Sequence, residues 1–169
     1  MIFDIGGGST EITFFNSNSN QFYTKSISFG VINLSEKKEI FGIDFINKKI
    51  NNYFNEIKKN INTTKNYSAI GSCSTITSIC AVYLKLKFFN LKKIEGQVLS
   101  LSKVLKTCKE IQKLTSKQKL NHPCIGNKYQ LLVNGIFILK RLLDEFPVSE
   151  ILVTNKGLRQ GMINDFFNI

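Results

Sequence analysis

The sequence predicts an α/β fold in which a mixed β-sheet of about five strands is flanked by helices. A short apolar strand at 1–5 comes first and ends in a glycine run; two segments with two-residue alternation follow, at 11–16 and 22–28, with a polar turn between them. Two further apolar strands, at 67–70 and 151–153, alternate with helical segments. An antiparallel meander followed by strand–helix crossovers requires a mixed sheet and excludes an all-parallel one.

The remaining elements follow from apolar residues at helical spacing. They are a turn over 36–40 that Ser35 can cap, then helices over 43–57, 74–86, 100–114, 116–120 and 126–146, and a final helix ending at Phe167. Residues 90–97 read as loop or strand. We predict one domain over 1–169, with 87–125 as an insertion lying over the sheet.

The bulk composition fits a protein with a packed core. The chain has 169 residues, of which 43% are hydrophobic. No apolar run approaches the roughly 20 residues that cross a bilayer, and the N-terminus lacks a basic region followed by an apolar run. We therefore expect a cytoplasmic protein without a membrane partner.

The charge is strongly basic, with a formal net value of +11. A basic field attracts polyanions such as polyphosphate or nucleic acid. An AT-rich genome, which enriches Asn, Lys, Ile and Phe together, explains the same composition without selection for charge. The two explanations stay open. Nucleic acid is the less favoured partner, because Arg141 and Arg159 are the only arginines and base recognition favours arginine forks.

The cysteines and the histidine carry no predicted chemistry. Four cysteines lack any C-x-x-C pair, which argues against a zinc or redox site and predicts buried thiols. They are Cys73, Cys80, Cys108 and Cys124. His122, which precedes Pro123 in a loop, is predicted to be solvated and is assigned no role.

The sharpest local signal is the segment from Asp4 to Glu11, where three glycines, a serine and a threonine lie between two carboxylates. Without Cβ atoms, successive backbone N–H groups can approach one anion together. The predicted phosphate-binding residues are Gly6, Gly7, Gly8, Ser9 and Thr10. Two carboxylates beside a phosphate repel it unless a cation or proton intervenes. The pairing of Asp4 and Glu11 therefore suggests a Mg²⁺ site, or carboxylates that orient water.

Alternative explanations of this segment are weaker. An ordinary hairpin turn needs only one or two such residues. A Walker A loop requires a lysine that is missing here, and a dinucleotide fingerprint needs a third glycine where Glu11 stands.

Two later strand-to-helix turns resemble the first loop chemically. Gly71–Thr75 places hydroxyls and amides at a helix N-terminus, where Gly71, Ser74 and Thr75 are predicted to bind phosphate. The alternative is simple N-capping by Ser74. In the third turn, 155–161, Arg159 pairs either with a phosphate or, as we slightly favour, with an internal carboxylate.

The three loops, in this order, resemble those of the exopolyphosphatase / guanosine pentaphosphate phosphohydrolase (Ppx/GppA) family. Asp4–Glu11 matches the family's phosphate loop in full, and 28–31 looks like its "lpLG" turn. Gly71 and Thr75 fit its second loop, while Gly135 and residues 151–161 resemble its closing "GLReG" signature. The likeness covers nearly the whole chain and implies an actin-like ATPase (ribonuclease H-like) domain.

The resemblance also implies what else such an enzyme needs. Family members have two actin-like domains with the active site between them, and this chain corresponds to the second. We therefore expect the first domain, with the family's upstream glutamate base, to be absent and supplied by another polypeptide or by a homo-dimer partner. The chain departs from the family pattern at Ser74, Asn33 and 128–130.

The activity that the resemblance implies is cleavage of a terminal phosphate from polyphosphate or guanosine pentaphosphate, by positioning and charge stabilisation. By the same resemblance Asp4 and Glu11 are the catalytic residues, which position Mg²⁺ and the attacking water. Two other possibilities remain open at this point. The chain is either a non-catalytic phosphate- or polyphosphate-binding module or the remnant of a split gene.

Overall fold

The structure is a computed structural model, which describes residues 1–16, 20–61 and 66–167, without the side chains of 158 and 159. It contains one mixed β-sheet with the strand order β3-β2-β1-β4-β6-β5. The strands are β1 (Ile2–Ile5), β2 (Thr10–Asn16), β3 (Gln21–Ile27), β4 (Tyr67–Gly71), β5 (Val98–Ser100) and β6 (Val148–Val153). The strands β1, β4 and β6 are parallel to one another, and the pairs β1/β2, β2/β3 and β5/β6 are antiparallel.

Seven α-helices lie in the described part of the chain. They are α1 (Asn33–Lys58), α2 (Ser74–Tyr83), α3 (Leu91–Ile94), α4 (Leu101–Lys113), α5 (Ser116–Leu120), α6 (Tyr129–Glu145) and α7 (Leu158–Phe167). None of these helices combines the length and hydropathy that a bilayer crossing needs. The core joins the sheet to α1, α2, α4 and α6 through fully buried side chains such as Phe3, Phe54, Ile76 and Phe146.

The predicted mixed sheet is confirmed, and so are the five predicted strands and their order along the chain. The sheet has a sixth strand, β5, just after the region predicted as loop or strand, and α3 occupies 91–94 within that region. Three residues are too few for a period-two signal, which is why the sequence did not reveal β5. β5 and the buried face of α4 belong to the core. That residues 87–125 are an insertion stays a prediction.

Several helix boundaries differ from the prediction. Ser35 is not a cap: it lies inside α1, where its hydroxyl accepts a hydrogen bond from Asn134. α1 continues to Lys58 across a kink at Gly42, whose φ of 77° a non-glycine residue rarely adopts. α2 ends at Tyr83, and a 3₁₀ turn over 126–128 precedes α6. The predicted polar breaks at 16–20 and 60–66 fall partly outside the described residues.

The thiol prediction is confirmed, since all four cysteines are free and buried. Burial raises the pKa of Cys80 to about 11 and that of Cys108 to about 12, so neither thiol ionises at neutral pH. His122 is not simply solvated. Its Nδ1 accepts the Cys124 N–H at 3.1 Å, and burial lowers its pKa.

Parallel pairing determines where the loops lie. Phe3 is in register with Gly71, and Gly71 is in register with Val153, near the carboxyl ends of β1, β4 and β6. The three loops predicted to be functional therefore emerge at the same edge of the sheet. Open α/β sheets bind ligands at the carboxyl ends of such strands.

Candidate functional site

The first loop, residues 6–9, is a tight connection between β1 and β2. The pairs Asp4–Glu11 and Ile5–Thr10 close it from both sides as antiparallel partners. The Gly6 N–H donates to the Ser9 carbonyl at 2.9 Å. The strand pairing thus fixes both ends of the glycine run and places Asp4 and Glu11 directly across from each other.

A second segment, residues 29–33, packs against this loop and supports it. The N–H groups of Val31 and Ile32 donate to the carbonyls of Gly6 and Gly7, each at 2.9 Å. A Cβ atom on Gly30 would lie 2.4 Å from the Gly7 carbonyl, so the two backbones touch there. Residues 28–31 resemble a family turn in sequence, and the structure adds their contact with the glycine loop.

Asn33 fastens this support to the loop. Its side-chain amide donates to the Gly8 carbonyl at 2.6 Å, and its side-chain oxygen accepts the Gly30 N–H at 2.9 Å. The sequence analysis treated Asn33 as a departure from a family arginine. In the structure this residue bridges two segments of the site.

An Asn33→Ala variant should therefore lose about 1–2 kcal/mol of unfolding free energy, because two backbone partners lose their hydrogen bonds. Urea denaturation measures this loss. The matched control is Asn52→Ala, an exposed asparagine within α1. Equal stability of the Asn33→Ala variant and the wild type would contradict the bridging role.

The hydroxyls of the first loop already have partners within the chain. Ser9 donates to Glu11 Oε1 at 2.6 Å, and Ser26 donates to the same oxygen at 2.8 Å. Thr10 is fully buried and donates to the Phe29 carbonyl at 2.7 Å. Ser9 therefore orients a carboxylate in this conformation, and Thr10 ties the loop to its support. Their contact with phosphate stays a prediction.

Asp4 stands in an unfavourable electrostatic environment. Burial is the main cause that raises its pKa above the ordinary 3.8, and the charge of Glu11 raises it further, while a hydrogen bond from Ser72 lowers it. A carboxylate pair of this kind attracts a proton or a cation. The backbone connects the two loops here, because the Ser72 N–H donates to the Phe3 carbonyl at 3.2 Å.

This pKa shift predicts how stability depends on pH. A raised folded-state pKa means that the ionised carboxylate costs stability, and the cost develops as pH rises through the folded pKa. Replacing Asp4 with Asn removes the charge and keeps an oxygen that can accept from Ser72. Asp4→Asn should therefore raise the melting temperature at pH 7, and the gain should shrink as the pH falls toward 3.8.

Thermal melts at several pH values test this expectation, with Asp44→Asn as the control because Asp44 is exposed on α1. A loss of stability that is the same at every pH would contradict the assignment of an electrostatic cost to Asp4.

The second loop, Gly71–Thr75, packs closely against the first strand. A Cβ on Gly71 would lie 2.6 Å from the Phe3 ring, and the Ser72 N–H donates to the Phe3 carbonyl at 3.2 Å. Ser74 is the first residue of α2 and Cys73 is its N-cap, without a side-chain cap bond. The alternative of simple N-capping by Ser74 is therefore wrong. Ser74 is exposed at a helix N-terminus, a position favourable to anions.

Thr75 lies at a close helix–helix contact. It is 2% exposed, and its Oγ1 lies 2.1 Å from where a Cβ on Gly135 would be. Gly135 of α6 therefore gives Thr75 the space to lie at the start of α2. The sequence analysis named both residues from the family pattern without foreseeing that they touch.

The third loop is held by a residue that the sequence analysis missed. Glu95 accepts the Thr154 hydroxyl at 2.6 Å and the Asn155 N–H at 2.9 Å. Burial raises the pKa of Glu95, but these hydrogen bonds outweigh it and hold the pKa below its ordinary value. No sequence signal marks a glutamate 59 residues from its partner. The predicted roles of the Arg159 side chain lie outside the described residues.

A cavity of about 590 Å³ opens beside the second loop. One wall is hydroxyl-rich and comes from Ser72–Thr75, Thr77 and Ser78, with Asn155 of the third loop. The facing wall is mostly apolar and includes Phe89, Leu91 and Leu131, with Lys128 among its polar groups. The second and third loops thus share one concave space.

Solved structures with the same architecture place this domain in a known class. The chain matches the Ppx/GppA phosphatase of Aquifex aeolicus with a TM-score of 0.71 and 22% identity, over 98% of this chain and 56% of that one. It matches an exopolyphosphatase from Cytophaga hutchinsonii with a TM-score of 0.75 and 23% identity, over 99% and 56%. The domain therefore has the actin-like ATPase (ribonuclease H-like) fold.

The sequence itself identifies the family. The profile of the Ppx/GppA phosphatase family matches residues 1–168, and the chain belongs to this family. It is also 28% identical to the bifunctional 3-dehydroquinate synthase/phosphatase of Fusobacterium nucleatum, over 96% of this chain and 25% of that protein. The chain thus spans a quarter of that relative and slightly more than half of the solved structures.

Proposed function

We propose that this chain forms the phosphate-binding wall of a phosphohydrolase site that cleaves the terminal phosphate from inorganic polyphosphate or guanosine pentaphosphate. The observation that carries the proposal is the joined arrangement of two phosphate-type loops around a carboxylate pair. Gly6–Ser9 lies beside Asp4 and Glu11, and the Ser72 N–H of the second loop donates to the carbonyl of Phe3, the residue before Asp4. Family membership supports the same chemistry.

The proposed roles follow from the donors and acceptors available. Backbone N–H groups of Gly6, Gly7 and Gly8, with the amides and hydroxyls of Gly71–Thr75, would bind phosphate oxygens. Glu11, oriented by Ser9 and Ser26, would position the attacking water. Water would add across the terminal P–O–P bond and release orthophosphate, so catalysis is mainly positioning and charge stabilisation.

The carboxylate pair fits a magnesium ion chemically. Mg²⁺ is often held by one or two carboxylates together with waters and substrate phosphates. Asp4 and Glu11 are such a pair, and burial first, then the charge of Glu11, raises the pKa of Asp4. When bound, the ion would neutralise charge on the phosphates. Mg²⁺ should raise the melting temperature of the wild type more than that of Asp4→Asn, and an equal rise would count against this site.

The catalytic base is proposed to come from a complementary domain or from a second copy of the chain. Among the described residues no cluster of three metal-ligating side chains is present, and both oxygens of Glu95 are occupied by the third loop. Of the three carboxylates described at these loops, Glu95 holds the third loop, and Asp4 and Glu11 are assigned to the cation and the attacking water.

A chimera tests this proposal. This chain replaces the segment that it covers in the Cytophaga hutchinsonii exopolyphosphatase, and orthophosphate release from polyphosphate is measured. We expect release by the chimera, none by the chain alone, and loss of release in a Glu11→Gln chimera. A folded chimera without activity, beside an active parent enzyme, would contradict hydrolysis.

A second candidate function is polyphosphate binding without turnover. The hydrogen bonds that already occupy the hydroxyls of Ser9 and Thr10, together with Asn33 at a common arginine position, favour it. This candidate would be supported if the chimera were inactive while the chain described here still bound polyphosphate, with an affinity that Ser9→Ala weakened.

A further inference from the structure

The third loop is the part of the site to which the proposed function assigns no role. Thr154 and Asn155 follow β6 directly, at the sheet edge that also carries the first and second loops. The Thr154 N–H donates to the Gly71 carbonyl at 3.0 Å, so the third loop is fastened to the second. Asn155 lines the cavity together with Ser72–Thr75. The third loop therefore borders the proposed phosphate site.

The side chain of Asn155 is available to a ligand. Asn155 is exposed, and its hydrogen bond to Glu95 uses the backbone N–H. Within the described part of the chain its side-chain amide has no hydrogen-bond partner. A primary amide carries two N–H donors and one acceptor oxygen. Beside the hydroxyls of the second loop, such a group can donate to a phosphate oxygen while it adds no charge to the site.

Glu95 fixes the backbone that carries this side chain. One carboxylate oxygen accepts the Thr154 hydroxyl at 2.6 Å, and the other accepts the Asn155 N–H at 2.9 Å. The Thr154 hydroxyl in turn accepts the Lys156 N–H at 3.0 Å, so a single carboxylate holds the whole turn. Burial raises the pKa of Glu95, but these bonds and the charge of Lys156 hold it below its ordinary value. The carboxylate is therefore ionised at neutral pH, and bonds to an ionised acceptor are the stronger kind.

The backbone next to Glu95 is paired with the end of β6. Gly96 has a φ of 77°, a conformation that suits glycine, and it turns the chain from α3 toward β5. The Gly96 N–H donates to the Val153 carbonyl at 2.9 Å, and the Val153 N–H donates to the Gln97 carbonyl at 2.8 Å. Glu95 therefore reaches the third loop from a segment that the sheet holds in place.

We propose that Asn155 is a further substrate-binding residue, whose side-chain amide donates to a phosphate oxygen of the ligand at the second loop, and that Glu95 is its positioning residue. This inference rests on the proposed function and adds the third loop to the phosphate-binding wall. Glu95 acts through the third loop alone. Without its carboxylate the turn loses two hydrogen bonds, and the Asn155 side chain no longer has a fixed direction.

Binding of tripolyphosphate to the full chain tests the role of Asn155. Asn155→Ala should bind about 10-fold more weakly, because one hydrogen bond to a charged group is lost. Its melting temperature should equal that of the wild type, since the side chain has no partner to lose. The matched control is Asn127→Ala, an exposed asparagine of the 3₁₀ turn that borders the cavity without lining it, and it should bind like the wild type. Unchanged affinity in Asn155→Ala would overturn the proposal.

Three further variants separate positioning from stability. Glu95→Gln keeps an oxygen for the Asn155 N–H and an amide for the Thr154 hydroxyl, so its affinity should stay within about twofold of the wild type. Glu95→Ala should lose about as much affinity as Asn155→Ala, and the double variant should lose no more than about twofold beyond either one. Equal weakening in Glu95→Gln and Glu95→Ala, or additive losses in the double variant, would overturn the positioning role. So would a Glu95→Ala protein that melts earlier but binds like the wild type.

A direct readout decides the case even if Glu95→Ala does not fold. In the ¹⁵N-labelled wild type, the side-chain amide signals of Asn155 should shift saturably with tripolyphosphate, and those of Asn127 should not. Asn155 side-chain signals that stayed unchanged while the glycine loop saturated would overturn this inference and leave the proposed function intact. Failure of the proposed function reads differently, because tripolyphosphate binding would then be absent or insensitive to Ser9→Ala, and this inference would fall with it.

Discussion

A Gly30→Ala variant should have a free energy of unfolding about 3 kcal/mol lower than that of the wild type, and it should lose phosphate binding. The added Cβ would lie 2.4 Å from both the carbonyl carbon and oxygen of Gly7 and 2.6 Å from the Gly6 oxygen. These are backbone atoms, which cannot rotate away as a flexible side chain would. Overpacking against a fixed neighbour costs about 1–3 kcal/mol, and here the neighbour is the proposed binding loop.

The measurement is urea denaturation, with Gly8→Ala as the stability control. The nearest atom to a Cβ on Gly8 is the Asn33 side-chain nitrogen at 3.9 Å, an ordinary contact. Gly8→Ala should therefore change stability by less than about 0.5 kcal/mol. If both variants had the same stability as the wild type, residues 29–33 would not support the loop as described.

The contact between Gly135 and Thr75 predicts the second large effect. Alanine is favoured over glycine inside a helix by about 1 kcal/mol. Gly135→Ala should nevertheless destabilise the protein by about 2 kcal/mol, because its Cβ would lie 2.1 Å from Thr75 Oγ1 and 2.9 Å from Thr75 Cγ2. Thr75 is buried at the start of α2, so the side chain has little room to move.

A double-mutant cycle separates this contact from other effects. Thr75→Ala removes Oγ1 and Cγ2, so the double variant should be more stable than the sum of the two single changes predicts. Gly161→Ala is the control, since nothing lies within 4 Å of a Cβ on this glycine of α7. Additive free energies in the cycle would show that Gly135 and Thr75 do not interact.

The sequence predicted the fold well because most elements repeat a local pattern. Alternation marks β2 and β3, and helical spacing marks α4 and α6. The sequence did not reveal β5, whose three residues carry no period and whose pairing with β6 is decided by the tertiary structure. Likewise, α1 continues across the kink at Gly42 and includes two segments that were predicted as separate.

The sequence predicted which residues form the site, but it did not predict the hydrogen bonds among them. Glycines between Asp4 and Glu11 indicate an anion loop from chemistry alone. The hydrogen bond of Asn33 to Gly8, and those of Glu95 to the third loop, join residues far apart in the chain. Such bonds depend on tertiary structure, and a single sequence contains no pattern that encodes them.

Amide chemical shifts of the ¹⁵N-labelled chain during titration with tripolyphosphate test the central claim most directly. The account predicts saturable shifts that are largest at Gly6, Gly7, Gly8 and Ser9, with a second group at Ser72–Thr75, and a weaker affinity in Ser9→Ala. Shifts confined to residues outside these two loops, or no saturation at any site, would contradict phosphate binding at the glycine loop.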